Sequence, residues 1–142
     1  MKIRLFLLLA LMALPQAAPA QTHDPCTQAP RVSIPISITT STKILSGVQG
    51  KKNYLCTLLL VPSGPVSISV VEGTGALCGT NTKAIVGSTT ATNGMNIAAG
   101  QILNFGVGLL SFGAGTSPGA DVCILSSSGT VEMAGAALIS QY

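Results

Sequence analysis

The sequence has few charged residues. Seven Lys and Arg and four Asp and Glu make up 8% of its 142 residues, against about 25% in an average soluble protein. Lys2 and Arg4 lie at the extreme N-terminus, which leaves five cations and four carboxylates in residues 21–142, a formal net charge of +1. Ser, Thr, Asn and Gly must therefore supply the polar surface. Because a net charge near zero weakens the repulsion between copies, we expect self-association, and the expected states include a homo-oligomer.

The few cations are also scattered along the chain. A nucleic-acid backbone is bound by several clustered Lys and Arg residues, and among the remaining cations only Lys51 and Lys52 are adjacent. We therefore expect no nucleic-acid partner and no polybasic segment for membrane binding. Lys51 and Lys52 are interpreted as residues that flank a turn.

Residue types that carry catalysis are equally scarce. The single histidine is His23, and neither a GxSxG elbow nor an HExxH motif occurs. Glu72 and Asp121 could form a carboxylate pair only if the fold brought them together. The glycines around Gly73-Thr74-Gly75 imitate a nucleotide loop, but no helix follows to bind phosphate. We expect a non-enzymatic protein without metal or cofactor.

Tryptophan is absent and aromatic residues are few. Tyr54 and Phe105 fall in predicted strands and are assigned to the core. Phe112 and Tyr142 remain as candidate ligand contacts. They keep open an alternative function, a secreted module that binds a carbohydrate or another small ligand.

No apolar run reaches the roughly 20 residues that span a bilayer. The longest near the N-terminus, Leu5 to Leu14, has about ten; it follows Lys2 and Arg4 and precedes Ala18-Pro19-Ala20. This is the build of a secretory signal peptide cleaved after Ala20. We expect an exported protein, periplasmic or extracellular, with no stable membrane insertion after cleavage.

Helical periodicity is also absent, and the 16 glycines disfavour long helices. Instead, apolar and small polar residues alternate in short segments between turn signals. This pattern is typical of an all-β protein, and we predict a compact β-sandwich or jelly roll of about 8–10 short strands. The predicted order is a signal peptide (1–20), an irregular N-terminal lead (21–30) and a single β-sandwich domain (31–142).

Three segments give specific strand predictions. Val32 to Ile38 alternates but contains Pro35, which predicts an edge strand. Tyr54 to Val61 is continuously apolar, which predicts a central strand covered on both faces. Ala136 to Tyr142 contains no charged side chain and no proline. If it lies at a sheet edge, it would pair with another copy of the chain. If it lies between two strands, its backbone groups already have partners.

Short turns predict two hairpins. The first joins Tyr54–Val61 to Val66–Val70, and the second joins Val122–Leu125 to Thr130–Met133. Asn93-Gly94 predicts a further turn, because both residues tolerate positive φ.

Four cysteines in an exported chain predict two disulfides. Three pairings of Cys26, Cys56, Cys78 and Cys123 are possible. We favour Cys26–Cys56, which would tie the lead to the core, and Cys78–Cys123, which would fix the connection from Gly73 to Thr82.

Three stretches together carry a resemblance to a known group of proteins: 50–56 (GKKNYLC), 72–80 (EGTGALCGT) and 121–124 (DVCI). Across about residues 45–142 the chain resembles small, uncharacterised Gly/Ser/Thr-rich β proteins of phage and environmental bacterial genomes. The resemblance implies a structural role of the virion-surface or fibre kind and supplies no catalytic residue. Virion subunits assemble in the cytoplasm, so the signal peptide favours a cell-surface or periplasmic relative. We therefore expect an exported non-catalytic structural or interaction protein of the bacterial envelope or exterior, with an unknown protein partner.

Overall fold

The computed structural model describes residues 25–106 and 116–142, so the predicted signal peptide and His23 lie outside the described residues. One short helix, α1 (Pro25–Gln28), precedes the strands. The strands of the described part are β1 (Arg31–Ile38), β2 (Thr42–Leu45), β3 (Asn53–Pro62), β4 (Val66–Thr74), β5 (Thr80–Val86), β6 (Met95–Ile97), β7 (Leu103–Phe105), β8 (Asp121–Ser126) and β9 (Met133–Gln141).

These strands form two antiparallel sheets that pack together as a β-sandwich, which confirms the predicted fold class. Sheet 1 has the order β1-β9-β3-β7. Sheet 2 has the order β2-β8-β4-β5, and β6 also pairs with β4. The inner faces bury one continuous apolar core between them, whose fully buried large side chains include Leu58, Leu60, Ile68, Val70, Ile124 and Met133.

Both predicted hairpins are wrong. β3 belongs to sheet 1 and β4 to sheet 2, although only Ser63, Gly64 and Pro65 separate them. β8 and β9 are likewise in different sheets. A short turn predicts that consecutive strands are close, but it does not distinguish pairing within a sheet from a passage between two packed sheets. Here the apolar faces of consecutive strands meet across the core.

The Asn93-Gly94 turn exists, but for a different reason. Ala91–Asn93 form a 3₁₀ turn that Gly94 ends at φ −74°. A Cβ at Gly94 would collide with the carbonyl oxygen of Ile68. Glycine is therefore required for close approach to β4 and not for positive φ.

The C-terminal strand is not an edge strand. β9 lies between β1 and β3 and pairs with both along its length. The premise of self-association through Ala136–Tyr142 is therefore wrong, because the backbone groups of this segment already have partners.

β1 is the edge strand that Pro35 predicted. Lys52 and Tyr142 exchange two backbone hydrogen bonds, at 2.7 and 3.0 Å. Hydrogen bonding alternates along an antiparallel strand, so Ala136, six residues before Tyr142, also bonds towards β3. Pro35 lies opposite Ala136, and its backbone nitrogen therefore faces the open edge. The edge lacks one N–H at its centre, which weakens pairing with another strand.

β3 is an internal strand, as predicted, but only one of its faces is fully covered. Leu55, Leu58 and Leu60 are buried in the core, whereas Leu59 on the opposite face remains 38% exposed. The continuous apolar run reflects an inner face in the core and an outer face that is apolar without being covered.

Candidate functional site

Both disulfides are present: Cys26–Cys56 with an S–S distance of 2.02 Å and Cys78–Cys123 with 2.03 Å. They are the two pairs favoured from the sequence. Cys26 lies on α1, so the first bond holds this helical turn against β3 and β9 at one end of sheet 1. The second bond holds the 3₁₀ turn Ala76–Cys78 against β8 on the outer face of sheet 2.

The turn held by Cys78–Cys123 has a strained backbone. Leu77 and Cys78 in this turn have φ values of 51° and 57°, and Asn81, near the start of β5, has 55°, a conformation that costs residues with a Cβ about 1–2 kcal/mol each. In return, Cys78 and Cys123 pack with Val71 and Leu125 in a small second apolar cluster. The disulfide and this cluster hold the strained turn in place.

Glu72 is the one buried carboxylate among the described residues, and sequence reasoning missed its role. Its Oε2 accepts a hydrogen bond from the backbone N–H of Ser117 at 2.6 Å, and its Oε1 accepts one from Ser117 Oγ at 2.9 Å. Lys83 Nζ lies 3.6 Å from Oε1 and donates to Ser117 Oγ at 3.1 Å. Glu72 thereby attaches the segment before β8 to strands β4 and β5.

We call Glu72, Ser117 and Lys83 the triad. A cleft of about 460 Å³ adjoins it and is lined by Glu72, Gly73, Thr74, Asn81, Thr82, Lys83, Ser117, Pro118 and Ala120. The arrangement does not suit nucleophilic catalysis by Ser117. Ser117 Oγ donates its hydrogen bond to Glu72 Oε1 and accepts one from Lys83 Nζ, so Lys83 is not placed to accept the serine proton. The polar atoms of Glu72, Ser117 and Lys83 bond to one another and hold the segment before β8 against β4 and β5.

The structure does not bring Glu72 and Asp121 together as a catalytic pair. Glu72 lies opposite Val122 on the inner side of sheet 2, so Asp121, one residue earlier, points to the other face. Asp121 instead accepts a hydrogen bond from the backbone N–H of Gly47 at 2.8 Å and pairs with Lys43 at 3.3 Å.

Of the two candidate ligand contacts, Tyr142 has a strongly exposed side chain, at 73%. It lies beyond the end of β9, beside Lys52. It does not line the cleft next to Glu72. Phe112 lies outside the described residues.

The outer face of sheet 1 is the largest feature that sequence reasoning missed. Strand alternation and register place ten side chains in its middle: Ser33, Pro35, Ser37, Thr57, Leu59, Val61, Asn104, Ala134, Ala136 and Leu138. None carries a charge, and none is fully buried. We call these ten residues the open face. The alternation of side chains along β9 indicated which of them share a face of the strand. It did not indicate which strands lie beside β9.

The described residues contain no cluster of three or more His, Cys, Asp and Glu side chains that could hold a metal ion. Nor does this part of the chain include a helix of the length and apolarity needed to cross a membrane. Two disulfides are typical of exported proteins. Comparisons with protein-family models, with curated proteins and with solved structures find no match.

Proposed function

We propose that this chain is an exported, non-catalytic interaction protein of the bacterial envelope or exterior, which uses the open face to bind a second protein surface. The observation that carries the proposal is the open face itself. It is uncharged across four strands, and Leu59 at its centre is exposed. The central part of a protein–protein interface is typically depleted of charged residues.

Export supports the proposal through the two disulfides, because such bonds persist in oxidising compartments. The N-terminal sequence supports it through the build of a signal peptide. The absence of a catalytic role is proposed on the composition and on the Glu72 triad, whose polar atoms are occupied by one another.

The partner we favour first is a second copy of the chain. The open face spans residues 33–37 of β1, 57–61 of β3, 134–138 of β9 and the short β7. With strands about 4.8 Å apart and about 3.4 Å per residue it presents roughly 300 Å², so two copies would bury about 600 Å² in total. This lies below the range of stable specific complexes and is typical of weak association. An uncharged face also brings no repulsion between identical copies.

A matched pair of substitutions tests this function. Ala134 on the open face and Ala84 on the outer face of sheet 2 are both exposed strand alanines. We expect Ala134→Lys to reduce association, measured by sedimentation velocity over a range of concentrations, because it places a charge in the interface. Ala84→Lys should leave association unchanged.

Leu59→Lys, at the centre of the open face, should weaken association more than Ala134→Lys. A native protein that stays monomeric at every concentration would exclude a second copy. The partner search would then use the same variants against extracts of the envelope. Binding that survives Leu59→Lys would refute the role of the open face.

The alternative function is a secreted module that binds a small ligand. The cleft beside Glu72 favours it, because Asn81 and Thr74 expose polar side chains there. Its described lining contains no aromatic side chain. Lys83→Ala would test this alternative: saturable binding of neutral or acidic sugars, lost in that variant, would support it over the first proposal.

A further inference from the structure

The charged residues that are scattered in the sequence gather at one end of the sandwich. Arg31 begins β1 and lies opposite Ser140, near the end of β9. Lys52 pairs with Tyr142, and Lys51 belongs to the adjoining turn, where its N–H bonds to the carbonyl of Val48. We call Arg31, Lys51, Lys52, Val48 and Tyr142 the basic end.

The three cations of the basic end have no carboxylate within salt-bridge distance in the described part of the chain. Lys43 and Lys83 lie in the same half of the molecule and are paired with Asp121 and Glu72. Among the described residues, five cations and two carboxylates give this half a side-chain charge of +3.

Exposed apolar side chains accompany these cations. The Tyr142 side chain is 73% exposed and Val48 is 45% exposed. The backbones of both residues are hydrogen-bonded. Tyr142 exchanges two backbone hydrogen bonds with Lys52, and the carbonyl of Val48 accepts one from the N–H of Lys51. The basic end therefore presents exposed apolar side chains, on hydrogen-bonded backbone, beside cations that have no carboxylate partner among the described residues.

The opposite end of the sandwich has a different chemistry. Its described loops are dominated by Ser and Thr, such as Thr39–Ser41 and Ser127–Thr130, and Glu132 is its one charged side chain in the described part. Ile102 is 64% exposed there without a cation beside it. The molecule is thus polarised along its strands, with all five described cations in one half.

We propose that the basic end docks on a bilayer surface rich in anionic phospholipid. Arg31, Lys51 and Lys52 would pair with headgroup phosphates, and each such cation strengthens binding about 5-fold. The Tyr142 ring and Val48 would enter the interfacial layer, where an amphipathic ring is favoured. A soluble polyanion would pair with the cations but would leave these apolar side chains in water. We therefore assign a bilayer, which provides both interactions.

Docking of this kind is peripheral, and it does not use the open face. The open face lies on the side of sheet 1, whereas the basic end is formed where its strands begin and end. The two proposals therefore fail or succeed separately.

The test uses the disulfide-bonded chain recovered after export and vesicles of phosphatidylcholine, with or without an equal share of phosphatidylglycerol. We expect co-sedimentation with the anionic vesicles alone. Binding should fall steeply near 1 M salt, where the screening length is about 3 Å. Equal binding to both vesicles, or to neither, would overturn the proposal.

Two sets of variants separate the cations from the apolar side chains. The triple variant Arg31→Gln, Lys51→Gln, Lys52→Gln should bind about 100-fold more weakly. Tyr142→Ser should weaken binding without changing its salt dependence, whereas the matched control Ile102→Ser, at the opposite end, should have no effect. Equal effects of the two serine variants would contradict docking by the basic end.

Inorganic polyphosphate tests the other possible partner of the basic end, a soluble polyanion. If it binds as tightly as the anionic vesicles and Tyr142→Ser does not weaken vesicle binding, the partner is a soluble polyanion and the bilayer proposal is wrong. Thermal unfolding of each variant should match the parent protein, because the substituted side chains are exposed.

Discussion

The two sheets share one core but differ in what covers their outer faces. On sheet 2, the disulfide-held turn Ala76–Cys78 packs on Val71 and Leu125 and forms a second apolar cluster. On sheet 1, α1 and the Cys26–Cys56 bond cover only one end, and no other described segment packs over the open face as the Ala76–Cys78 turn does on sheet 2. A disulfide attaches a connecting segment to each sheet, but it produces core-like packing on the outer face of sheet 2 and leaves the middle of the outer face of sheet 1 exposed among the described residues.

The disulfides should show the largest difference between the two sheets. Removing Cys78–Cys123 with paired Cys→Ala substitutions should lower the free energy of unfolding by about 4 kcal/mol, since the linked residues are 45 apart. Loss of the second apolar cluster would add to this. Removing Cys26–Cys56, with a separation of 30, should cost slightly less, about 3.6 kcal/mol. Urea unfolding measures both, and a larger loss at Cys26–Cys56 would contradict the comparison.

Glu72→Gln should have the next largest effect. The amide keeps only one acceptor where the carboxylate accepts from both groups of Ser117, and it loses the attraction of Lys83. We expect a loss of about 1–3 kcal/mol in urea unfolding. Glu132→Gln is the control, because Glu132 is exposed and should change stability by no more than about 0.5 kcal/mol. Equal effects would show that the triad does not clamp the segment before β8.

The same substitution on the two outer faces compares them directly. Leu125→Thr on sheet 2 should cost about 1 kcal/mol, because Leu125 packs against the second cluster. Leu59→Thr on sheet 1 should cost less than about 0.5 kcal/mol, because Leu59 is exposed and threonine suits a strand. Both values come from thermal or urea unfolding. If Leu59→Thr proves the more costly change, something covers the open face.

Pro35→Thr should have the smallest effect on the stability of the monomer and a distinct effect on association. It restores an N–H at the open edge of β1, so another strand can pair there. We expect new concentration-dependent species by light scattering. Ser37→Thr, at the same edge with Pro35 retained, should not produce them. Unchanged scattering for Pro35→Thr would mean that the proline does not protect this edge.

Local signals in the sequence predicted much of the architecture. Period-two alternation around Pro35 identified β1 and its place at an edge, and the apolar run after Asn53 identified an internal strand. The cysteines predicted two disulfides, because an even number in an exported chain favours pairing. Their predicted partners followed from which segments were irregular and which were strands.

Strand neighbours were not predictable by the same means. The sequence left open whether Ala136–Tyr142 lies at an unprotected edge or between two strands, and β9 lies between β1 and β3. Alternation fixes which side chains share a face of one strand, but pairing depends on all strands at once. The two false hairpins have the same cause, since a short connection serves a passage between sheets as well as a turn within one.

The sequence by itself determined that this protein is an all-β chain with two disulfides and few charges, because these properties follow from composition and from patterns over a few residues. Only the tertiary structure determined which residues lie together on each surface. It put Ser117 on Glu72, made one uncharged face from β1, β3, β7 and β9, and gathered Arg31, Lys51 and Lys52 at one end. The physical reason is that surfaces of a sandwich combine residues from distant strands, whose proximity arises only when both sheets close over the core.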